Sequence, residues 1–215
     1  MKPEISLPYI FLCIFATFRM IRKYLYSNLE NITPQQLEQE LLPALPLWRR
    51  EQALKFKFHL GRVLCAKSFL LLKEGLERDF HITGPITFDY QEHGKPVIRE
   101  HPEIFFNISH CNKGILCVID DERPVGCDIE VIERKISDAL LKRCCCQEEI
   151  KDIENALAPG CEFIKLWTKK EAVLKYTGEG INDQLPELLL QDRFSGLDME
   201  TVVCEEEGFI YTICR

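Results

Sequence analysis

The segment "FIKLWTKKEAVLKY", Phe163 to Tyr176, predicts a helix in which one charged residue stands where an apolar one is expected. At 3.6 residues per turn, one face of this helix carries Ile164, Trp167, Glu171 and Leu174. Lys175 follows Glu171 at the spacing of a surface ion pair, which contributes only about 0.3–0.5 kcal/mol. The pattern alone therefore fits either a solvated pair or a carboxylate that points into a cleft and binds a cation.

The composition is that of a folded protein with one large domain or two small ones. The chain has 215 residues, of which 46% are hydrophobic and 28% charged, so it can bury a substantial core. A net charge of −7 argues against a generic nucleic-acid surface, and we expect no nucleic-acid partner. The eleven cysteines form no C-x-x-C pair. We interpret them as reduced thiols of a cytoplasmic protein.

The N-terminal segment is apolar, but it is a poor signal peptide and at most a weak membrane anchor. "ISLPYIFLCIFATF", residues 5–18, is shorter than the ~20 residues of a spanning helix and is followed, rather than preceded, by most of its positive charges. We expect residues 1–19 to be an apolar extension, with Met20 as an alternative start, and no stable membrane insertion.

The rest of the sequence predicts a mixed α+β protein. Helices are expected at residues 33–45, 47–76, 137–157 and 161–178, from apolar periodicity and from caps at Thr33 and Gly178. Strands are expected at residues 22–29, on both sides of the turns at 93–94 and 112–114, and at 123–132, 185–194 and 199–215. Because most strands are neighbours in sequence, we expect antiparallel sheets, in two halves at residues 20–119 and 120–215.

Two carboxylates alternate along one expected strand. In "VGCDIE", Asp128 and Glu130 point to one face and Cys127 and Ile129 to the other. An exposed strand face would explain this spacing equally well. Together with Glu171, however, the two residues form a set of oxygen donors that suits a hard ion such as Mg²⁺.

Positive residues and a histidine stand where they could meet a phosphate. Lys95 lies in "HGKP", where Gly94 permits a sharp turn and Pro96 stiffens the exit. His110 closes "FNISH" just before the turn at 112–114. Taken singly, Lys95 fits a solvated loop lysine and His110 a structural histidine, so the argument depends on their occurring together.

Together these motifs resemble a known family. The ordered set "HGKP", "FNISH", "VGCDIE" and "WTKKEAVLKYTGEGI", within residues 93–181, resembles the 4′-phosphopantetheinyl transferase superfamily. The W-x-x-K-E-A form of the last motif is typical of its surfactin-type (Sfp-type) branch. The resemblance implies a pseudo-two-fold pair of similar halves, each an antiparallel sheet packed on a long helix, with coenzyme A bound between them.

The resemblance also implies a reaction: Mg²⁺-dependent transfer of the 4′-phosphopantetheine arm of coenzyme A to a serine of a carrier protein, releasing adenosine 3′,5′-bisphosphate. It implies three metal ligands, which are Asp128, Glu130 and Glu171. It implies contacts to coenzyme A from Lys57, Gly94, Lys95, Pro96, Ser109, His110 and Lys175. Glu171 and Lys175 would be catalytic, with Glu171 as our candidate for the base that takes the serine proton, directly or through a water on the metal. Glu149 matches an additional active-site carboxylate of some members.

The sequence departs from the family pattern in its positive charges. Glu179 stands where relatives often have lysine, and Arg49 and Arg50 would have to replace the basic residues before the first long helix. Carrier proteins are acidic, so docking on a chain of net charge −7 would require a local basic patch, which "WRREQALKFK" offers. We expect a monomer, because a pseudo-dimeric chain has less need of a partner.

Two alternatives use the same residues. One is a Mg²⁺-dependent hydrolase of a nucleotide or diphosphate, which would consume coenzyme A without a carrier. The other is a non-catalytic module that binds coenzyme A or a carrier and releases no product.

Overall fold

The computed structural model describes residues 21–133 and 135–215. The expected apolar extension 1–19 and the alternative start at Met20 lie outside the described residues. Within the described ranges every cysteine is a free thiol. In the same ranges no helix combines the length and the apolar character that crossing a bilayer requires.

The strands form two three-stranded antiparallel sheets and one short hairpin. The first sheet has the order β1-β5-β4, the second β6-β8-β7, and β2 pairs with β3. The strands are β1 (Arg22–Tyr26), β2 (Phe88–Tyr90), β3 (Pro96–Ile98), β4 (Phe105–His110), β5 (Ile115–Asp120), β6 (Gly126–Val131), β7 (Met199–Cys204) and β8 (Phe209–Cys214).

The two sheets repeat one topology, since in each the first strand in sequence pairs with the last, and the last pairs with the middle one. A long helix lies between the first and middle strands of each half: α4 (His59–Phe80) in one and α7 (Pro159–Thr177) in the other. The α+β class with antiparallel sheets is therefore confirmed. The division at residues 119 and 120, which falls at the end of β5, stays a prediction.

The remaining helices are short. They are α1 (Pro34–Gln36), α2 (Leu42–Ala44), α3 (Leu47–Leu54), α5 (Asp138–Cys144) and α6 (Gln147–Asn155), with a π-helical turn at Leu37–Leu41 and 3₁₀ turns at Leu29–Asn31, Leu185–Leu190 and Asp192–Phe194. Thr33 caps α1, and Gly178, with φ of 78°, ends α7, as the sequence predicts.

Three of the expected elements are wrong in detail. Residues 47–76 do not form one helix, because the chain bends between α3 and α4 at positions 55–58. Residues 137–157 form two helices, because the backbone is extended at Cys145 and Cys146. Residues 185–194 are 3₁₀ turns rather than a strand, and their buried Leu185 and Leu188 pack inward as an irregular cover on the second half.

Each long helix covers one face of its sheet, and the other faces meet at the centre of the molecule. Alternate residues of β5 separate these layers: Cys117 packs with the α4 side, whereas Leu116 and Val118 join the central cluster. The strand β6 alternates in the same way, so that Cys127 and Ile129 enter the central cluster. Asp128 and Glu130 consequently face the α7 side, which confirms the predicted alternation.

Gly126 sets how closely β6 approaches α7. A Cβ atom at this position would overlap the carbonyl oxygen of Ala172 and the backbone nitrogen of Tyr176. Both obstacles are backbone atoms of a buried helix, so neither can move aside by changing a rotamer. The absence of a side chain at Gly126 therefore lets the strand that carries Asp128 lie directly on α7.

We expect Gly126→Ala to lower the free energy of unfolding by about 3 kcal/mol, because overpacking a buried contact forces the backbone apart. Urea unfolding followed by circular dichroism measures this change. Gly84→Ala is the matched control, since a Cβ at Gly84 meets nothing within 4 Å, and it should change stability by less than about 0.5 kcal/mol. Equal effects of the two substitutions would contradict this account of the strand–helix contact.

Candidate active site

The site begins where two edge strands, β4 and β6, lie side by side without a backbone ladder. The N–H group of Cys127 donates to Asn107 Oδ1 at 2.9 Å, and the N–H of Ile129 to Ser109 Oγ at 3.4 Å. Each edge N–H must find an acceptor when it is buried. The polar side chains of β4 supply those acceptors, and in doing so they bring Ser109 beside Asp128.

Asp128, Ser109 and Lys175 form a compact polar cluster. The Lys175 ammonium lies 2.6 Å from Asp128 Oδ1 and 2.9 Å from Ser109 Oγ, and Ser109 in turn donates to Asp128 Oδ1 at 2.8 Å. Asp128 and Ser109 are both buried, so the lysine is the counter-ion of a carboxylate largely removed from water. Desolvation lowers the pKa of Lys175, but the charge of Asp128 and its hydrogen bond outweigh it, so the pKa is raised. Lys175 is therefore a permanent cation at neutral pH.

Three carboxylates share one cleft. Asp128, Glu130 and Glu171 line a space of about 300 Å³ together with Trp167 and Lys175. In residues 21–133 and 135–215, no three His, Cys, Asp or Glu side chains stand close enough together to form a ready metal cluster. The donors nevertheless fit a hard divalent cation in kind, since all three are carboxylates and the position beside Asp128 already attracts a positive group.

The cleft continues into two further spaces along β4. One, of about 270 Å³, is lined by Gly94, Lys95 and Pro96 on the first half and by Glu171 and Lys175 on the second. The other, of about 350 Å³, is lined by Arg49, aromatic residues and His110. All three spaces share Ile108. The three adjoining spaces make up a groove. Among the described residues, both halves line the carboxylate cleft and the space at Lys95, whereas the first half alone lines the third space.

Lys95 lines this groove, but its ammonium is used at the junction of the halves. Its Nζ donates to the carbonyl of Tyr176 at 2.8 Å and to that of Val125 at 3.2 Å. Tyr176 lies in the last turn of α7, where a cation is favoured by unpaired carbonyl groups. Burial lowers the pKa of Lys95 to about 8.

His110 stands at the mouth of the groove, where two of its spaces meet. Desolvation lowers the pKa of its imidazole, and the positive charges of Lys175 and Arg49 lower it further. These effects outweigh a backbone hydrogen bond and the charge of Asp128, which raise the pKa, so the net shift favours the neutral ring. A neutral imidazole can donate one hydrogen bond to a phosphate, and a bound phosphate would raise its pKa.

Two of the residues selected from the sequence lie elsewhere. Lys57, expected in the first long helix, lies in the exposed bend before α4 and extends over the ring of Phe58; it does not line the groove as described here. Glu149 is paired with Lys170 and caps the first turn of α6, so it is not a residue of the groove in the described part of the chain. The direction of a side chain in these segments depends on tertiary packing. The spacing of the sequence motifs carries no information about that packing.

Arg50 and Glu179 form hydrogen bonds and ion pairs outside the groove. Arg50 donates to the carbonyls of Leu42, Pro43 and Leu45, and so closes the end of α2. Glu179 forms a two-pronged ion pair with Arg193 at 2.6 and 2.9 Å. Of the basic pair before the bend, only Arg49 lines the groove among the described residues.

Asn107 is a residue of this junction that no sequence motif singled out. It lies two positions before Ser109, on the same face of β4, and supplies the acceptor described above for the N–H of Cys127. The signal was its period-two spacing with Ser109 in "FNISH".

Comparison with known proteins agrees with the motifs. Residues 124–210 match the profile of the 4′-phosphopantetheinyl transferase superfamily. The chain is 32% identical over 151 residues to 4′-phosphopantetheinyl transferase psf-1 of Bacillus pumilus, covering 69% of this chain and 64% of the relative. It is 33% identical over 119 residues to 4′-phosphopantetheinyl transferase Sfp of Bacillus subtilis (strain 168), covering 53% and 51% respectively.

A third relative is matched over more of its own length. Identity to 4′-phosphopantetheinyl transferase AcpT of Salmonella typhi is 31% over 135 residues, which is 57% of this chain and 69% of the relative. The chain spans between about two fifths and two thirds of the length of the Bacillus relatives that it matches. These matches support the surfactin-type resemblance.

The depressed pKa of Lys95 predicts a pH dependence of stability. In the unfolded chain lysine titrates near its usual 10.5, and in the folded protein near 8. Between these values the unfolded state binds more protons, so stability rises with pH in this window. We expect the melting temperature of the wild type, relative to Lys95→Met, to increase from pH 7 to pH 10.

Thermal unfolding of both proteins at pH 7, 8, 9 and 10 measures this difference. The exposed Lys55 provides a control variant, Lys55→Met, for which burial gives no reason to expect a trend. A constant difference between wild type and Lys95→Met across the range would show that Lys95 is not desolvated as described.

Proposed function

Because this chain belongs to the 4′-phosphopantetheinyl transferase superfamily, we propose that it transfers the 4′-phosphopantetheine arm of coenzyme A to a serine hydroxyl of an acyl or peptidyl carrier protein, releasing adenosine 3′,5′-bisphosphate. One observation carries the proposal: three carboxylates and a permanently cationic lysine line a single cleft in the groove between the halves. A polyanion beside three carboxylates requires a compensating cation. In phosphoryl transfer the polyanion is the substrate, and the cation is the metal ion bound with it.

The proposed site uses Asp128, Glu130 and Glu171 to hold Mg²⁺. The ion would neutralise charge on the pyrophosphate of coenzyme A and on the leaving group. In the absence of ligand, Lys175 neutralises Asp128. With coenzyme A bound, the Lys175 ammonium would also contact the pyrophosphate. It would then stabilise the negative charge that develops there during transfer.

The other residues of the groove bind and orient the substrate. Gly94, Lys95 and Pro96 line one arm of it, while Ser109 and His110 border the carboxylate cleft. We propose that these five contact coenzyme A, with His110 donating a hydrogen bond from its ring. We also propose that Lys57 contacts coenzyme A, from the exposed bend before α4 and outside the groove.

Glu171 is the candidate base for the carrier serine. It lies on α7 one turn before Lys175, in the same cleft, and is half-buried. A carboxylate so placed can take the hydroxyl proton as the oxygen attacks phosphorus, while Lys175 keeps the opposite charge nearby. The proposed partner is an acidic carrier protein, and we propose a cytoplasmic monomer that binds no nucleic acid.

The test is the intact mass of several apo carrier proteins after incubation with this protein, coenzyme A and Mg²⁺. We expect a mass gain equal to one phosphopantetheinyl group, with equimolar adenosine 3′,5′-bisphosphate, and no gain with a chelator. Cleavage of coenzyme A in the absence of any carrier would instead support the hydrolase, and binding without product the non-catalytic module.

We expect Asp128→Asn and Glu171→Gln each to reduce kcat/KM for transfer by at least about a hundredfold, because each removes a charge that compensates the cation in the transition state. Glu205→Gln, on an exposed turn of the same half, is the matched control and should transfer at the wild-type rate. Steady-state assays with one carrier give both values. Wild-type rates in Glu171→Gln would rule out its assigned role.

A further inference from the structure

Lys170 belongs to the W-x-x-K-E-A motif, yet it has no place in the groove. It directly precedes Glu171 on α7 and is completely buried. A lysine that is removed from water entirely is rare, because transfer of a charge to the interior is costly unless the charge is paired and hydrogen-bonded. The proposed reaction does not account for the burial of Lys170, so its contacts must serve another role.

The Lys170 ammonium is surrounded by four oxygen atoms. It lies 2.7 Å from Glu149 Oε2, 2.8 Å from the carbonyl oxygens of Cys144 and Pro186, and 3.0 Å from that of Leu185. Its three N–H donors are thus fully used. The buried charge is compensated by one carboxylate and three carbonyl dipoles.

The four oxygen atoms come from three separate segments. Cys144 is the last residue of α5, whose final carbonyls have no partner within the helix. Glu149 lies in the first turn of α6 and also accepts from the N–H of Cys146 at 2.9 Å, which caps that helix. Leu185 and Pro186 begin the 3₁₀ turn that follows α7. One ammonium therefore connects α7 to α5, to α6 and to the turn that follows α7.

The opposite side of α7 is fixed by different contacts. The close approach of Gly126 holds it against β6, and Thr168 Oγ1 lies 2.8 Å from Thr212 Oγ1 on β8. The apolar part of this packing leaves a helix some freedom to slide and rotate, since apolar surfaces are not directional. The bonds of Lys170 are directional and meet acceptors on several segments, so they define a single rotation and height of the helix.

We propose that Lys170, through its buried pair with Glu149, is a positioning residue that fixes α7 and thereby places Glu171 and Lys175 in the cleft. The inference rests on the proposed function, because it assigns the pair a purpose in the same reaction. Each residue along a helix adds 1.5 Å and 100°. A small slip of α7 at Lys170 would therefore displace the carboxylate next to it and the ammonium that lies 2.6 Å from Asp128. Catalytic groups tolerate little displacement: a shift of about 1 Å can cost a hundredfold in rate.

The experiment compares Lys170→Met and Glu149→Gln with Thr168→Val. The control removes a hydrogen bond of the same helix, also at a completely buried residue, but on the sheet side. Melting temperatures, kcat and KM for coenzyme A and carrier are measured at a temperature where all three variants remain folded. Crystal structures without ligand give the distance between Lys175 Nζ and Asp128 Oδ1.

We expect Lys170→Met to lower kcat by about tenfold or more while KM for coenzyme A changes by less than about threefold. The Lys175–Asp128 distance should lengthen beyond hydrogen-bonding range. Glu149→Gln should change both quantities in the same direction by a smaller amount. Thr168→Val should lower the melting temperature but leave kcat and the distance unchanged.

If kcat merely follows the melting temperature in all three variants, or if the Lys175–Asp128 contact survives in Glu149→Gln and Lys170→Met, Lys170 only stabilises the fold and the proposal is wrong. Should Lys170→Met fail to fold, Glu149→Gln alone decides between these results. The crystallographic measurement needs no reaction, so it also separates failure of this inference from failure of the proposed transfer.

Discussion

The arrangement of this molecule depends on how the edge of β6 is satisfied. Its outward N–H groups face the other half of the protein, and a backbone ladder would have fused the two sheets into one. Asn107 and Ser109 accept from that edge in place of backbone carbonyls. The sheets can then pack face to face at the centre while their edges stay far enough apart to leave a groove. The carboxylate cleft exists because side chains of β4, and not its backbone carbonyls, accept from the edge of β6.

Electrostatic balance follows from the same junction. Once Ser109 is fixed beside Asp128, the carboxylate is buried and must have a counter-ion. Lys175 provides it from α7, and Glu130 and Glu171 add further negative charge around the same space. The cleft thus gathers three carboxylates around one lysine. Such a site favours a ligand that brings its own cation, which is how magnesium complexes of diphosphates arrive.

Local signals in the sequence were sufficient for most elements and for the placement of Asp128 and Glu130 on the face of β6 that meets α7. Period-two alternation placed Asp128 and Glu130 on one face of a strand, and a left-handed glycine marked the end of α7 at Gly178. Failures occurred where non-local contacts decide. The run beginning at Leu185 has the composition of a short buried strand, but its carbonyls turn toward the ammonium of Lys170. No local pattern indicated that this lysine is buried. Glu149 and Lys57 match the family pattern in position, whereas their directions depend on partners that spacing does not reveal.

The repeated topology has a consequence for how the chain acquires its structure. In each half the middle and last strands form a local hairpin. The first strand, however, pairs with the last strand, which is distant in sequence: Arg22 pairs with Ile119, and Gly126 with Cys214. Closing such long loops makes folding slow, because chain entropy is lost before any contact compensates it. During synthesis β6 and α7 would leave the ribosome well before β8, the central strand of their sheet. Until then the apolar face of β6 has no permanent partner in its sheet, and the carboxylates of the site have no rigid frame. Both halves therefore hold a first strand without its sheet partner while the chain is being made, and the half that carries the proposed chemistry is the last to close.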